Sequence, residues 1–252
     1  MPHQPQFRPR LLVLSLAAAF PLVHGNPLGG QVVVGNAVIS QPAANLLQLD
    51  AGSHKTIVNW QQFSIGQGEA VRMNLPSAAS AILNRVNGGD ISQILGSLQS
   101  NGRVFLINPS GIVFGGGAQI DTAGFIASTL NISDADFLAD RLRFSGPGGA
   151  IAQSGDMIVK GDVALIAASL STSGAIRSEN GNLMLAAGQT VELVDLATPA
   201  LRYQVSAPEN TVVNLGDMLV QNGAAAMFGH TLQQQGKVSA LQAERGEGGS
   251  IV

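Results

Sequence analysis

The chain has no cysteine, one tryptophan, one tyrosine and a charged fraction of only 12%. Without cysteine there is no disulfide framework and no thiolate metal site, so the core alone must hold the fold. Charge is too scarce and mildly acidic, at a formal net −3, to build the basic face that nucleic acid requires. With 45% apolar residues beside so little charge, disorder is excluded. Thirty-one glycines, with few lysines and glutamates, exclude a helical bundle. No apolar run is long enough to cross a bilayer, which takes about 20 residues. What remains is an all-β chain of many short strands joined by tight turns.

The one concentrated apolar run is Leu11–Phe20, preceded by Arg8 and Arg10 and followed by the small residues Val23 and Gly25. That order of charge, apolar run and small residues reads as a secretory signal peptide over residues 1–25, cut after Gly25. A retained N-terminal anchor is the alternative. Removing 25 of 252 residues leaves 227, an ordinary size for a single all-β domain, and loss of the two arginines takes the net charge to −5. Absence of disulfides also suits a chain threaded unfolded through a pore.

Val71, Met73 and Leu75 alternate with Arg72 and Asn74, the period of a strand with one buried face. Residues Thr56–Ile65, Arg103–Ile107 and Val191–Leu196 are further β-rich runs bounded by Gly, Asn or Asp. From Gly149 a weak repeat appears. Gly149-Ala150-Ile151 returns as Gly174-Ala175-Ile176, and Leu165–Ala168 is echoed by Leu183–Ala187. A repeat of about two dozen residues is the mark of a solenoid, and it favours a right-handed parallel β-helix over a β-sandwich of the same composition. At roughly 20 residues per coil and about 4.8 Å per coil, the rod would be on the order of 50 Å long. Gln31–Ile39 supplies capping strands for the N-terminal end. Gly246–Val252 reads as the start of a continuing chain or a tail, after a domain spanning 26–245. Ser133 followed by Asp134 and Asp136 predicts a short capped helix. Ile91, Ile94, Leu95 and Leu98 have helical spacing interrupted by Gly96, which leaves helix or strand open.

Candidate chemistry is thin. After the leader only His54 and His230 remain, far apart in sequence and near no second metal ligand. There is no nucleophile elbow. Asp134 and Asp136 resemble a carboxylate pair, but their place at a helix start explains them through the helix dipole. Gly115–Gly117 lacks the pattern of a phosphate loop and reads as a tight turn. The sequence therefore points to no catalytic residue, metal or cofactor. One segment stands out: Val104 to Phe114 holds Asn108-Pro109-Ser110-Gly111 between two apolar strands, which fits a type I turn.

The run Ala81–Phe137, with that turn at its centre, resembles the core of the two-partner secretion (TPS) domain that begins the filamentous haemagglutinins and high-molecular-weight adhesins. Tyr203–Asp217 resembles the same family, and the likeness extends over Asn26–Ala240. The resemblance implies a right-handed parallel β-helix with a capped N-terminus. It further implies recognition in the periplasm by the POTRA domains of an outer-membrane β-barrel transporter, the TpsB partner. The family's Asn-Pro-Asn-Gly motif falls on Asn108, Pro109, Ser110 and Gly111, with serine for the second asparagine. Its Asn-Pro-Asn-Leu motif falls on Thr198, Pro199, Ala200 and Leu201, where only the proline and leucine are kept. The expected role is secretion and targeting of an exported or cell-surface exoprotein, with an adhesin whose ligand lies on a host or neighbouring cell as the leading expectation. The same module can also head a contact-dependent toxin or a haemolysin, or stand alone as a surface binder. A β-helical polysaccharide-degrading enzyme would need an acidic groove that the sequence does not offer.

Overall fold

A computed structural model describes residues 25–193, 203–206, 211–214, 217–229, 231–235 and 237–240. The chain winds through three long sheets in turn, each strand lying parallel to its counterpart in the next coil. Among the described residues sheet 1 has nine strands, sheet 2 eight and sheet 3 six. This is the parallel β-helix expected from the repeat. The first strands break the rule. Gln31–Val34 runs antiparallel to Lys55–Trp60 in sheet 2, and Ala37–Ala43 runs antiparallel to Leu46–Ala51 in sheet 1. Together they cover the backbone edge that an open solenoid would expose.

The core is built by register. In sheet 1, Leu47, Val71, Leu98, Ile120, Met157, Ile176, Met218 and Val238 stack one on the next along the rod. All but the partly buried Val238 are enclosed in the main hydrophobic cluster, and each such side chain contributes about 2 kcal/mol by leaving water. Sheet 2 supplies Val58, Leu106, Ala127, Leu165, Leu185 and Met227 to the same interior.

One polar residue sits in that second stack. Asn84, fully buried, lies between Val58 and Leu106, accepts from Trp60 Nε1 at 3.0 Å and donates to the Phe105 carbonyl at 3.2 Å. Asn84→Leu continues the apolar stack but leaves the indole N–H without a partner. It should destabilise the domain by about 2 kcal/mol, and fluorescence of the only tryptophan should shift. An unchanged spectrum and midpoint would show that the indole finds another acceptor.

Sheet 2 is also buried on its outer face. Residues 129–149 leave the helical path between strands Gly124–Ser128 and Ala150–Gln153, forming the helix Asp134–Leu138 and the strand Leu142–Ser145. That strand pairs antiparallel with Thr190–Leu193, which pairs with Tyr203–Ser206. Beneath this outer layer Ile57, Leu83, Phe105, Ile126, Phe137, Phe144 and Met184 form a second core. Phe105 and Phe137 meet edge to face at 5.2 Å. The layer is clamped by cations from sheet 2. Lys55 Nζ donates to the Phe137 and Leu138 carbonyls and pairs with Asp140 at 2.6 Å, while Arg85 holds Asp134 at 2.7 Å and the Ile132 carbonyl. Ser133 caps the helix as expected, its Oγ accepting from Asp136 N–H.

One open sequence reading is settled and another changes. The Ile91–Leu98 stretch is two strands, Ser92–Ile94 and Ser97–Ser100, turning at a corner where a Cβ on Gly96 would meet the Glu69 carbonyl at 2.3 Å. The two Gly-Ala-Ile segments are not equivalent. Ile151 lies in sheet 3 beside Leu170, whereas Ile176 lies in sheet 1 beside Met157. They look alike because a glycine corner followed by an inward aliphatic residue recurs at different sheets. The coil repeat itself is Val163–Ala167 on Leu183–Ala187, twenty residues on.

Candidate functional site

The Asn108–Gly111 turn joins strand Arg103–Ile107 of sheet 2 to strand Ile112–Phe114 of sheet 3. Gly111 N–H donates to the Asn108 carbonyl at 3.1 Å, closing the expected four-residue turn. Asn108 Oδ1 also accepts from Ser110 N–H at 3.0 Å, so the side chain braces the turn from inside. Gly111 has φ +130°, a conformation that other residues rarely adopt.

The asparagine does more than shape its own turn. It is completely buried. Its Nδ2 donates to the Asp90 carbonyl at 3.0 Å and to Ser92 Oγ at 2.9 Å, both in the preceding coil. Its backbone N–H donates to the Ser128 carbonyl in the following coil, and Gly149 N–H donates to the Pro109 carbonyl. Three successive coils are thus tied at one corner. Pro109 and Ser110 are the exposed members. Ser110 contributes only its backbone N–H to this bracing, so a serine there preserves the turn. Ile91, 44% exposed, lies against the turn, and a groove of about 310 Å³ lined by Gln62, Ser64, Asp90, Ile91 and Gln93 opens beside it. Thr198, Pro199, Ala200 and Leu201 lie outside the described residues, as do the leader residues 1–24, His230 and Gly246–Val252.

Other candidate groups are engaged locally. Asp136 accepts from Arg141 at 2.8 Å and from Ser133 Oγ. The arginine first, then the serine, hold its carboxyl below the usual carboxylate range. Asp134 pairs with Arg85 on a different side. His54 Nδ1 meets Ser80 Oγ at 3.0 Å at an exposed corner. Gly115 closes a turn by accepting from Ala118 N–H. Among the described residues no group of three His, Cys, Asp or Glu could hold a metal ion, and no helix is long and apolar enough to cross a membrane.

A second corner, between sheets 1 and 2, escaped the sequence reading. Here glycines of successive coils stack backbone to backbone. A Cβ on Gly181 would lie 2.4 Å from the Gly161 carbonyl carbon, and one on Gly223 would lie 2.2 Å from the Gly181 oxygen. Beside them Asp162 Oδ1 accepts from Asn182 N–H at 2.8 Å, and Asn182 Oδ1 accepts from Ala224 N–H at 3.0 Å. The signal was available in the dipeptides Lys160-Gly161, Asn180-Gly181 and Asn222-Gly223, which share this corner.

A family model described as the TPS secretion domain matches residues 25–249. Two proteins of Haemophilus influenzae named Heme/hemopexin-binding protein, one of them from strain Rd, are 38% and 34% identical over 122 residues. Each match covers 48% of this chain and only 13% of the relative. The crystal structure of the HMW1 secretion domain from Haemophilus influenzae is similar at a TM-score of 0.80 and 38% identity, over 85% of this chain and 59% of that one. None of these names is that of an enzyme.

Proposed function

Because the chain belongs to the TPS secretion domain family, and so has a TpsB-type outer-membrane transporter as its partner, we propose that it supplies both the address and the folding nucleus for export of a TpsA exoprotein. Residues 1–25 take the chain across the inner membrane. The POTRA domains of the transporter then recognise it before it is folded. The observation that carries this reading is the burial of Asn108 among three coils. In the folded rod its amide is saturated, leaving only Pro109 and Ser110 for an outside partner. A transporter that reads Asn108 must therefore do so on an extended chain, and the same residue then sets the corner once the chain emerges.

The periplasm lacks ATP, so outward movement needs a bias from folding. With one end closed by antiparallel strands, each emerging coil adds to a finished template, and each addition is a favourable nearest-neighbour step. We assign to the full-length exoprotein the binding of a ligand at a host or neighbouring-cell surface. An adhesin is the leading reading, and the relatives named for heme and hemopexin binding make a haem-carrying host protein the first ligand to try.

The test is export of this domain from cells with and without the transporter, comparing wild type with Asn108→Ala. Export that requires the transporter and falls with the substitution supports the reading. A domain that leaves regardless of the transporter, or one found folded in the periplasm and still exported, overturns it.

A further inference from the structure

At the start of the domain one carboxylate has no side-chain partner of opposite charge among the described residues. Glu69, half-buried at the corner entering strand Ala70–Asn74, accepts from Gly25 N–H through Oε2 at 3.0 Å and Oε1 at 3.3 Å, and from Gly66 N–H at 2.8 Å. No Lys, Arg or His of the described residues forms an ion pair with it. The fit around Gly25 is tight, for a Cβ there would lie 2.6 Å from Gly66 N and 3.3 Å from Glu69 Oε2. Asn26 is pinned to the turn between the capping strands Ala37–Ala43 and Leu46–Ala51 by its Nδ2, which donates to the Ala44 carbonyl at 3.1 Å. Leu28 N–H in turn pairs with the Gln62 carbonyl.

We propose that Glu69 is the seat of the mature amino terminus. This rests on the export reading, in which the leader is cut between Gly25 and Asn26. Water adds across that peptide bond, leaving a carboxyl on Gly25 of the departing leader and a new α-amine on Asn26, which is protonated at neutral pH. The new ammonium arises one residue, at most about 3.8 Å of chain, from the N–H that Glu69 holds. It takes over the carboxylate as a charge-assisted hydrogen bond, fastening the cap to the first coil. Both residues of the scissile bond are packed in the folded domain, so cutting precedes closure of the cap. An uncut chain that folds hides its own processing site.

The experiment uses the processed domain recovered after export. Its intact mass gives the first residue, and the acylation rate of the α-amine near neutral pH reports how firmly that amine is held as ammonium. Wild type should react about tenfold more slowly than Glu69→Gln, because a carboxylate at contact favours the protonated, unreactive form of the amine. An Asn-Pro insertion between Gly25 and Asn26 keeps Glu69 and the identity of the first two residues but carries the ammonium away from the carboxylate, and it should match Glu69→Gln. All three should react alike in denaturant. In the wild type, a first residue other than Asn26 sinks the assumed cut and with it the leader reading. The expected mass with equal acylation rates in the three folded proteins overturns the Glu69 assignment alone.

Discussion

Asn108→Ala will lower the stability of the domain by about 3 kcal/mol, a large share of the 5–15 kcal/mol typical of a whole domain. The substitution removes two donors and one acceptor from a fully buried corner. It strands the fully buried Ser92 Oγ, leaves the Asp90 carbonyl and the Ser110 N–H without this partner, and unties one coil from the next. Asn108→Asp should be worse, since a carboxylate cannot donate to the Asp90 carbonyl and would bring charge into the core. Ser110→Ala or Ser110→Asn should stay within about 0.5 kcal/mol, because the exposed side chain makes none of these bonds. Chemical denaturation of the refolded domain measures all four. If Asn108→Ala unfolds at the wild-type midpoint yet fails to be exported, the residue acts in recognition and not in the corner.

Gly181→Ala is the second large effect, about 3 kcal/mol. Its added methyl meets backbone atoms of the coil beneath, 2.4 Å from Gly161 C and 2.5 Å from Asp162 N, and no side chain can swing aside to relieve the contact. The coils must separate at that corner. A solenoid is coupled mainly between neighbours, so the damage should be local. Amide exchange should quicken in Leu183–Ala187, Met218–Val220 and Ala225–Phe228 while Lys55–Trp60, Ala81–Val86 and Arg103–Ile107 keep their protection. Gly116→Ala is the control, with nothing within 4 Å of the added carbon. Equal loss of protection from end to end would mean that the rod unfolds as one unit and that the nearest-neighbour picture is wrong for it.

Some of this was legible in the residues themselves. The alternation of Val71 and Met73 with Arg72 and Asn74 gave a strand with one face inside, because that period needs only a residue and its neighbours two away. Ser133 gave the start of the helix, since the cap is made three residues on at Asp136. Asn108 to Gly111 gave the turn for the same reason, its two closing hydrogen bonds lying within the four residues. The ambiguity over Ile91–Leu98 came from two short strands meeting at a corner, which scatters aliphatic residues at a spacing that mimics a helix.

The tertiary structure decided what those local pieces face. In Arg103–Ile107 the sequence showed four apolar residues in a row and no period. Val104 and Leu106 point into the rod, while Phe105 and Ile107 are covered by a layer from residues 129–149 and 190–193. That cover depends on contacts such as Lys55 with Phe137, 82 residues apart, which no local pattern encodes. The same holds for Asn108. Its type and spacing determined a turn, but its burial depends on where the neighbouring coils place Asp90, Ser92 and Ser128. Local hydrogen bonds and side-chain period are properties of a few consecutive residues. Stacking is a property of coils twenty or more residues apart, and only the closed rod brings them together.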